Sequence, residues 1–558
     1  MIVGIDLGTT NSLIGYFDKD KGVTIIPNRL GNRLTPSVVS FDDDGTVYVG
    51  DTAKERRITN PDETVEVFKR DMGTARTWKI HGRKYTPTDL SALVLRSLKE
   101  DAESYLQEQV TEAVISVPTY FNEHQRKATK LAGKLAGLRV DRIISEPTAA
   151  AIAYGVNKCT DSTKIMVFDL GGGTFDVSLL ELDDGIMEVH CVAGDNFLGG
   201  EDFTKVIHNK FIRENQLDVA ELSPQTMNHI SKQAELCKLE LSDSMSAVMK
   251  CKVNDEILEM IITREEFRDD CQGLLERIKK PIARSLRDSK LTIDEIDRVV
   301  MVGGSTRLPL VRTYVATLLK KIPDYSVNPD EAVVIGACMQ AAMKERNEAV
   351  EDIILTDVCP YTLGIGIHNP NGSSDIYSPI IQRNTTIPYS RTRRYVTVHD
   401  YQKEIEINVY QGENRLVDNN LLIDRIKINV PPDKAGREAV SVTFTYDVNS
   451  LLEVIVKSDT TRQQVKRIIK SSENDISEEE AEQRFAELEY LKLPPREQEE
   501  NKLVLFRAEE LYEEMLGMER EIMGKNIAIF EGILENGAPE EIEEAREQMK
   551  IILGRYFL

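Results

Sequence analysis

Two short stretches of this chain carry the same residue types in the same order. One is Asp6-Leu7-Gly8-Thr9-Thr10-Asn11, and the other is Asp169-Leu170-Gly171-Gly172-Gly173-Thr174. Each follows an apolar run that reads as a strand. Glycines let backbone N–H groups approach a phosphate closely, and threonines add hydroxyl donors. An Asp at each strand end can hold Mg²⁺ through water, because that cation keeps much of its hydration shell. Two such turns facing one another would grip a polyphosphate from both sides of a cleft. A lone Asp-Leu-Gly turn would be read as an ordinary β-turn. Two in matching contexts, with Gly303-Gly304-Ser305 in "VGGSTRLP" at Val302–Pro309, point to a nucleotide. The chain has no G-x-x-x-x-G-K-[ST] loop and no G-x-G-x-x-G fingerprint. The expected site is therefore neither a P-loop nor a dinucleotide fold.

The elements that must position these turns alternate. Up to residue 349, strand-like runs such as Ala113–Phe121 and Arg298–Gly304 are separated by amphipathic helical patterns, Glu123–Leu138 and Glu265–Ser289 among them. Residues 350–359 form a short acidic and aliphatic connector. From 360 to 472 the pattern becomes period-two strands, with Ile405, Ile407 and Val409 on one face and Val440, Val442, Phe444 and Tyr446 on another. Asp447–Ser450 reads as a hairpin turn. Residues 473–558 are Glu-rich and helical, and Ser477 with Glu480 fits a capping box. The expected architecture is a duplicated two-lobe α/β domain, a linker, an antiparallel β-sandwich and a short helical lid.

Bulk composition narrows the function. A formal charge of -23 over 558 residues argues against nucleic acid and against an anionic membrane surface. Seven cysteines are scattered without a C-x-x-C pair, as in a reducing cytoplasm. No apolar run reaches the length of a membrane span, and no secretory leader opens the sequence, so the expected location is cytoplasmic.

These turns, with "ISEPTAAAIAYG" at Ile144–Gly155 and "LGGEDF" at Leu198–Phe203, resemble the DnaK-type heat-shock chaperones, ATPases of the actin and sugar-kinase superfamily. Within them, "FKRDMG", "GDNFLGGEDFT" and the compact β domain look most like the HscC branch. The resemblance implies ATP/ADP and Mg²⁺ as cofactors. It places Gly8, Thr9, Thr10, Asn11, Gly171, Gly172, Gly173 and Thr174 around the phosphates, with Asp6 and Asp169 ordering Mg²⁺ and its waters. Lys69 would stand beside the γ-phosphate and orient the attacking water. Glu146 and Asp176 would complete that network. On the adenosine side it implies Gly200, Glu235, Lys238, Ser242, Gly303, Gly304, Ser305, Arg307 and Asp330, with Arg307 stacked on the purine. Read alone, Lys69 is a charged surface residue, and Glu235, Lys238 and Ser242 are one solvated helix face.

The connector carries Ile353-Ile354-Leu355, odd for a plain linker and suited to docking in one state and release in another. The alternative is a simple edge strand. In the family this segment docks on the ATP-bound domain, and positions matching Pro118, Arg126, Arg142 and Asp357 relay signals from a J-domain partner. Thr356 replaces a fourth aliphatic residue, which is expected to weaken docking. The β domain would bind extended apolar segments of unfolded polypeptides through Ile365, Ile367, Tyr395, Val398, Ile405 and Ile407. Periodicity alone reads these six equally as core.

Three departures qualify the resemblance. Ile405 and His368 alter the expected peptide channel. The stretch between Ser242 and "IITREEF" is too short for a long exchange loop, so fast nucleotide release is expected and a GrpE-type exchange factor is not. The lid is short. A small-molecule kinase of the same superfamily is the runner-up; it would need a catalytic Asp facing an acceptor pocket and would leave the β domain unexplained. An actin-like filament subunit is the third reading.

Overall fold

The computed structural model describes residues 1–155, 162–183, 186–253, 256–345, 354–370, 372, 374–447, 451–469, 499–515, 517–537 and 539–554. The repeated turn belongs to a repeated topology. In the first lobe, strand Ile2–Asp6 pairs antiparallel with Asn11–Asp18, which pairs antiparallel with Gly22–Ile26. Its other edge pairs parallel with Glu112–Val117, followed by Arg139–Ser145. In the second lobe, Thr163–Leu170 pairs antiparallel with Phe175–Asp183 and that strand with Ile186–Asp195, while Arg298–Val302 lies parallel on the other side. Each Gly/Thr turn therefore joins the first two strands of equivalent meanders. Glu112–Val117 is buried at every position, so its sequence is continuous rather than alternating.

Helices Glu146–Gly155 and Ala332–Lys344 form a buried seam with the two sheets. They cross so closely that a Cβ on Gly336 would stand 1.8 Å from the Ala149 carbonyl oxygen. The expected helix at Glu123–Leu138 spans Glu123–Leu135 and opens on a capping box between Asn122 and Gln125. The expected helix at Glu265–Ser289 is two, Arg264–Asp270 and Gln272–Ser289. Cys271, at φ -89° and ψ 3°, leaves the helical region and separates the two.

The connector contributes strand Ile354–Val358, parallel to Ile186–Asp195 in the second lobe's sheet and antiparallel to Thr386–Ile387. Ile353 lies outside the described residues. Thr356 donates its hydroxyl to the Met187 carbonyl at 3.5 Å, so the residue expected to weaken this edge adds a long polar contact there.

Beyond it, two four-stranded antiparallel sheets stack around one apolar core. One is ordered Ile376–Ile381, Leu363–Ile367, Glu404–Gln411, Leu421–Asn429; the other Tyr389–Val396, Ala439–Tyr446, Leu452–Ser458, Gln464–Ile469. The turn expected at Asp447–Ser450 is closed by Asp447, which accepts the Leu451 amide at 2.7 Å; residues 448–450 lie outside the described set. Ser477 and Glu480 also lie outside it. Helices Glu499–Glu514, Gly517–Asn536 and Pro539–Gly554 pack around their own core of Leu505, Leu511, Phe530 and Met549. No described helix is long and apolar enough to cross a membrane.

Candidate functional site

The two turns meet. A Cβ on Gly172 would fall 2.4 Å from the Thr10 side chain, and one on Gly173 2.5 Å from that of Thr9. Glycine is required here by approach of the opposite lobe. The Gly8 turn is tightened by Ser12, whose hydroxyl accepts the Gly8 amide at 3.2 Å, and by Ser37, which donates to the Gly8 carbonyl at 2.8 Å. Ser305 ties the third Gly-rich stretch to the second turn through the Gly171 carbonyl at 2.8 Å.

Between the lobes lies a cavity of about 560 Å³. Its walls include Asp6, Gly8, Thr9, Thr10, Asn11, Lys69, Glu146, Asp169, Gly171, Gly172, Thr174, Gly200, Glu235, Lys238, Ser242, Gly303, Gly304, Ser305, Arg307 and Asp330. Of the residues expected at the nucleotide and metal positions, Gly173 and Asp176 stand behind this wall, one packed on Thr9 and the other fully buried.

The polar end is a buried carboxylate cluster around one cation. Lys69, 3% exposed, donates to Glu146 Oε1 at 2.7 Å. Burial, reinforced by the charge of Glu146, pushes the Asp6 carboxyl up to about 7; Lys69 and a 2.8 Å hydrogen bond from Ser116 oppose the rise. Asp169 and Asp176 are held well above the usual carboxylate range, first by burial and then by Glu146, with Lys69 again opposing. Asp169 Oδ2 and Asp176 Oδ1 are buried and lack a hydrogen-bond partner. Asp169 lines the cavity and Asp176 stands just behind it; an orphan carboxylate oxygen at such a wall is what a hydrated divalent cation would satisfy, so Asp6 and Asp169 fit Mg²⁺.

The other end is built by helix Pro224–Asp243. Glu235 accepts from Lys54 at 3.2 Å, and Lys238 donates to the Gly200 carbonyl and the Thr204 hydroxyl at 3.1 and 2.8 Å. Lys232 pairs with Glu55 at 2.9 Å. Helix Asp51–Thr59 and helix Pro224–Asp243 are thus latched over the cavity by pairs from opposite lobes. Arg307 is held by Asp330 at 2.7 Å and Asn328 at 2.8 Å, which fixes the plane of its guanidinium.

Sequence reasoning missed Arg70. Its guanidinium donates to the Gly173 carbonyl at 2.9 Å and to Asp202 at 2.5 Å, bridging the lobes beside the second turn. The neighbouring Lys69 was the signal that could have found it.

The expected relay residues are assembled. Arg126 donates to the carbonyls of Phe121 and Thr119, the segment that follows Pro118. Arg126 and Arg142 both lower the pKa of Asp357, which burial raises. The β domain adds contacts that no motif announced. Arg383 forms a bidentate pair with Asp288 at 2.9 and 3.0 Å and also reaches Glu413 at 2.6 Å, while Gln411 accepts the Glu123 amide at 3.1 Å. Of the six residues expected to line a peptide channel, Ile365, Ile405 and Ile407 are buried in the sandwich core, Ile367 and Tyr395 are half-buried, and Val398 is exposed. The core reading of the first three therefore describes them as they stand.

The model of the Hsp70 protein family matches residues 2–81 and 75–552. The chain belongs to the Hsp70 family. It is 42% identical over 493 residues to the chaperone protein DnaK of Thermotoga neapolitana, covering 85% of this chain and 82% of that protein. It is 43% identical over 470 residues to DnaK of Thermotoga petrophila (82% and 78%) and 41% identical over 493 residues to that of Thermosipho africanus (85% and 81%). As an Hsp70-family protein it is an ATPase and a molecular chaperone. The family match goes against the sugar-kinase reading.

Proposed function

We propose that this Hsp70-family ATPase binds extended apolar segments of unfolded proteins and that its nucleotide state controls their release. The observation that carries the reading is the connector: Ile354–Val358 is a strand of the second lobe's own sheet, while Arg383 and Gln411 of the β domain reach Asp288 and Glu123 of the ATPase lobes. A short strand held to the lobe by three paired residues, and to the β domain by two, can release from the lobe without unfolding either domain.

In hydrolysis, the amides of both turns and the Thr9, Thr10 and Thr174 hydroxyls would hold the phosphates. Lys69 would neutralise charge on the transferred group and orient the attacking water, its own position set by Glu146. Asp176 would accept a hydrogen bond from that water. Asp6 and Asp169 would hold Mg²⁺, which would supply charge neutralisation at the phosphates. Glu235, Lys238, Ser242 and Arg307 would hold the adenosine.

A J-domain protein is the proposed stimulating partner, acting where Arg126, Arg142 and Asp357 converge. The cytoplasm is the proposed location, supported by six free, buried cysteines among the described residues. Membership of the HscC branch rests on "FKRDMG" at Phe68–Gly73 and "GDNFLGGEDFT" at Gly194–Thr204. Fast nucleotide release without a GrpE-type factor rests on the short hairpin of Ser246–Val253 and Glu256–Thr263.

Amide hydrogen exchange tests this reading. Residues 354–358 should be protected with ATP and exchange faster with ADP and peptide. Equal protection in both states would refute it.

A further inference from the structure

Tyr361 lies three residues beyond the connector strand and enters the structure as an unremarked residue of the β domain. Its hydroxyl donates to the main-chain carbonyl of Tyr120 at 2.5 Å, and its ring packs edge-on against the Tyr120 ring, 5.1 Å between centroids. The same carbonyl accepts a second hydrogen bond, from the Asn196 side-chain amide at 2.9 Å. Burial pushes the Tyr361 phenol above its ordinary range, so the hydroxyl keeps its proton and remains a donor.

What this carbonyl belongs to gives the contact its meaning. Tyr120 and the Asp176 carboxylate share one neighbour, Gly194: a Cβ there would stand 2.4 Å from Asp176 Oδ1 and 3.2 Å from Tyr120 Cδ2. Gly194 is also the strand partner of Asp176. Burial and Glu146 hold the Asp176 carboxyl well above the usual range, and the backbone amides of Thr119 and Tyr120, beside it, oppose that rise. One peptide segment thus takes a hydrogen bond from the β domain on its carbonyl side and presents its amides to the buried carboxylate cluster on the other. Arg126 holds the same segment through the Thr119 carbonyl at 3.3 Å.

We propose that Tyr361 is a positioning residue for ATP hydrolysis, setting the Thr119–Tyr120 peptide segment against Asp176 through its hydroxyl and so passing the state of the β domain to the reacting water. The proposal deepens the nucleotide–peptide coupling proposed above and rests on it. A charge-neutral hydroxyl suits this role, because gaining or losing a single buried hydrogen bond shifts a segment without unfolding it. A net contribution of about 1 kcal/mol corresponds to about a fivefold change in rate.

The test uses the full chain and four proteins: wild type, Tyr361→Phe, Asn196→Ala and the double variant. Tyr361→Phe keeps the ring and removes only the donor. Steady-state kcat and KM for ATP are measured with and without a saturating extended Leu-rich peptide, and exchange of the 354–358 amides reports whether the connector strand stays paired. The expected result is a loss of at least threefold in the peptide-dependent change of kcat for Tyr361→Phe. KM for ATP, peptide affinity and strand protection should be unchanged. Because both donors act through one carbonyl, the Tyr361 and Asn196 effects on peptide-free kcat should be non-additive.

An unchanged kcat response overturns the proposal. So does a changed response accompanied by loss of strand protection, since Tyr361 would then be only a docking contact. If wild type shows no peptide response, the coupling reading falls by itself. The Tyr120 contact is then judged on the peptide-free kcat values alone, where non-additivity supports it and additivity overturns it.

Discussion

The carboxylate cluster makes a quantitative demand on metal binding. Asp6 is pushed up to about 7, and Asp169 and Asp176 are raised in the same direction, with Lys69 as the cation that opposes each rise. At pH 7 the metal-free cluster therefore carries at least about half a proton from Asp6 alone, since a group is half-protonated at its pKa. Holding Mg²⁺ requires the charged forms, so binding must expel that proton. The expected release from Asp6 is on the order of half a proton per Mg²⁺ at pH 7, and that share shrinks as pH rises above its pKa. The sign for stability follows. A carboxyl whose folded pKa is raised contributes stability that is present below its unfolded value and lost as pH rises through the folded value. The metal-free chain should therefore weaken between about pH 4 and pH 7, with Asp6 alone contributing on the order of 4 kcal/mol.

The assay is calorimetric titration of Mg²⁺ into the ADP-bound chain, in buffers of different protonation enthalpy. The slope of observed heat against that enthalpy counts protons. Lys69→Ala should increase the release, because it removes the buried cation that opposes the rise of Asp6, Asp169 and Asp176. A zero slope at pH 7, in wild type and variant alike, would refute the account, because the cluster would already be ionised without metal.

Other expectations are as direct. Lys69→Ala should lower the single-turnover hydrolysis rate by about 10²-fold or more while leaving ADP affinity within a few-fold, as judged by quench-flow and nucleotide titration. Gly173→Ala places a methyl group 2.5 Å from Thr9 and should weaken ATP binding at least about tenfold, measured by fluorescence titration. Lys54→Ala removes a half-exposed pair with Glu235 from the latch over the adenosine side; ADP should leave a few-fold faster in stopped flow, in keeping with the modest energy of such pairs. Arg383→Ala leaves Asp288 without its bidentate partner and should raise exchange of the 354–358 amides with ATP bound.

The parts of this protein that were legible in its sequence share a property: their signal is local. Asp6-Leu7-Gly8 and Asp169-Leu170-Gly171 each announce a strand end and a phosphate turn within a few residues, and the folded chain brings them face to face. The alternation of Val440, Val442, Phe444 and Tyr446 announced a strand of the sandwich, and all four lie in its core. The connector strand was legible as an apolar run, but not its register on Ile186–Asp195, which depends on a partner more than 160 residues away. Arg70 with Asp202, Arg383 with Asp288 and Tyr361 with Tyr120 were invisible for the same reason. Each is an ordinary surface-type residue until the fold supplies the other half. Ile365, Ile405 and Ile407 mark a different limit, since one period-two pattern serves a packed core and an open channel alike.

The most direct test of the central claim is the dissociation rate of a labelled, extended Leu-rich peptide from the full chain, with and without ATP. The account predicts that ATP speeds release many-fold, because nucleotide held between the lobes and peptide held by the sandwich are linked through the connector strand. A rate that is the same with and without ATP would contradict it.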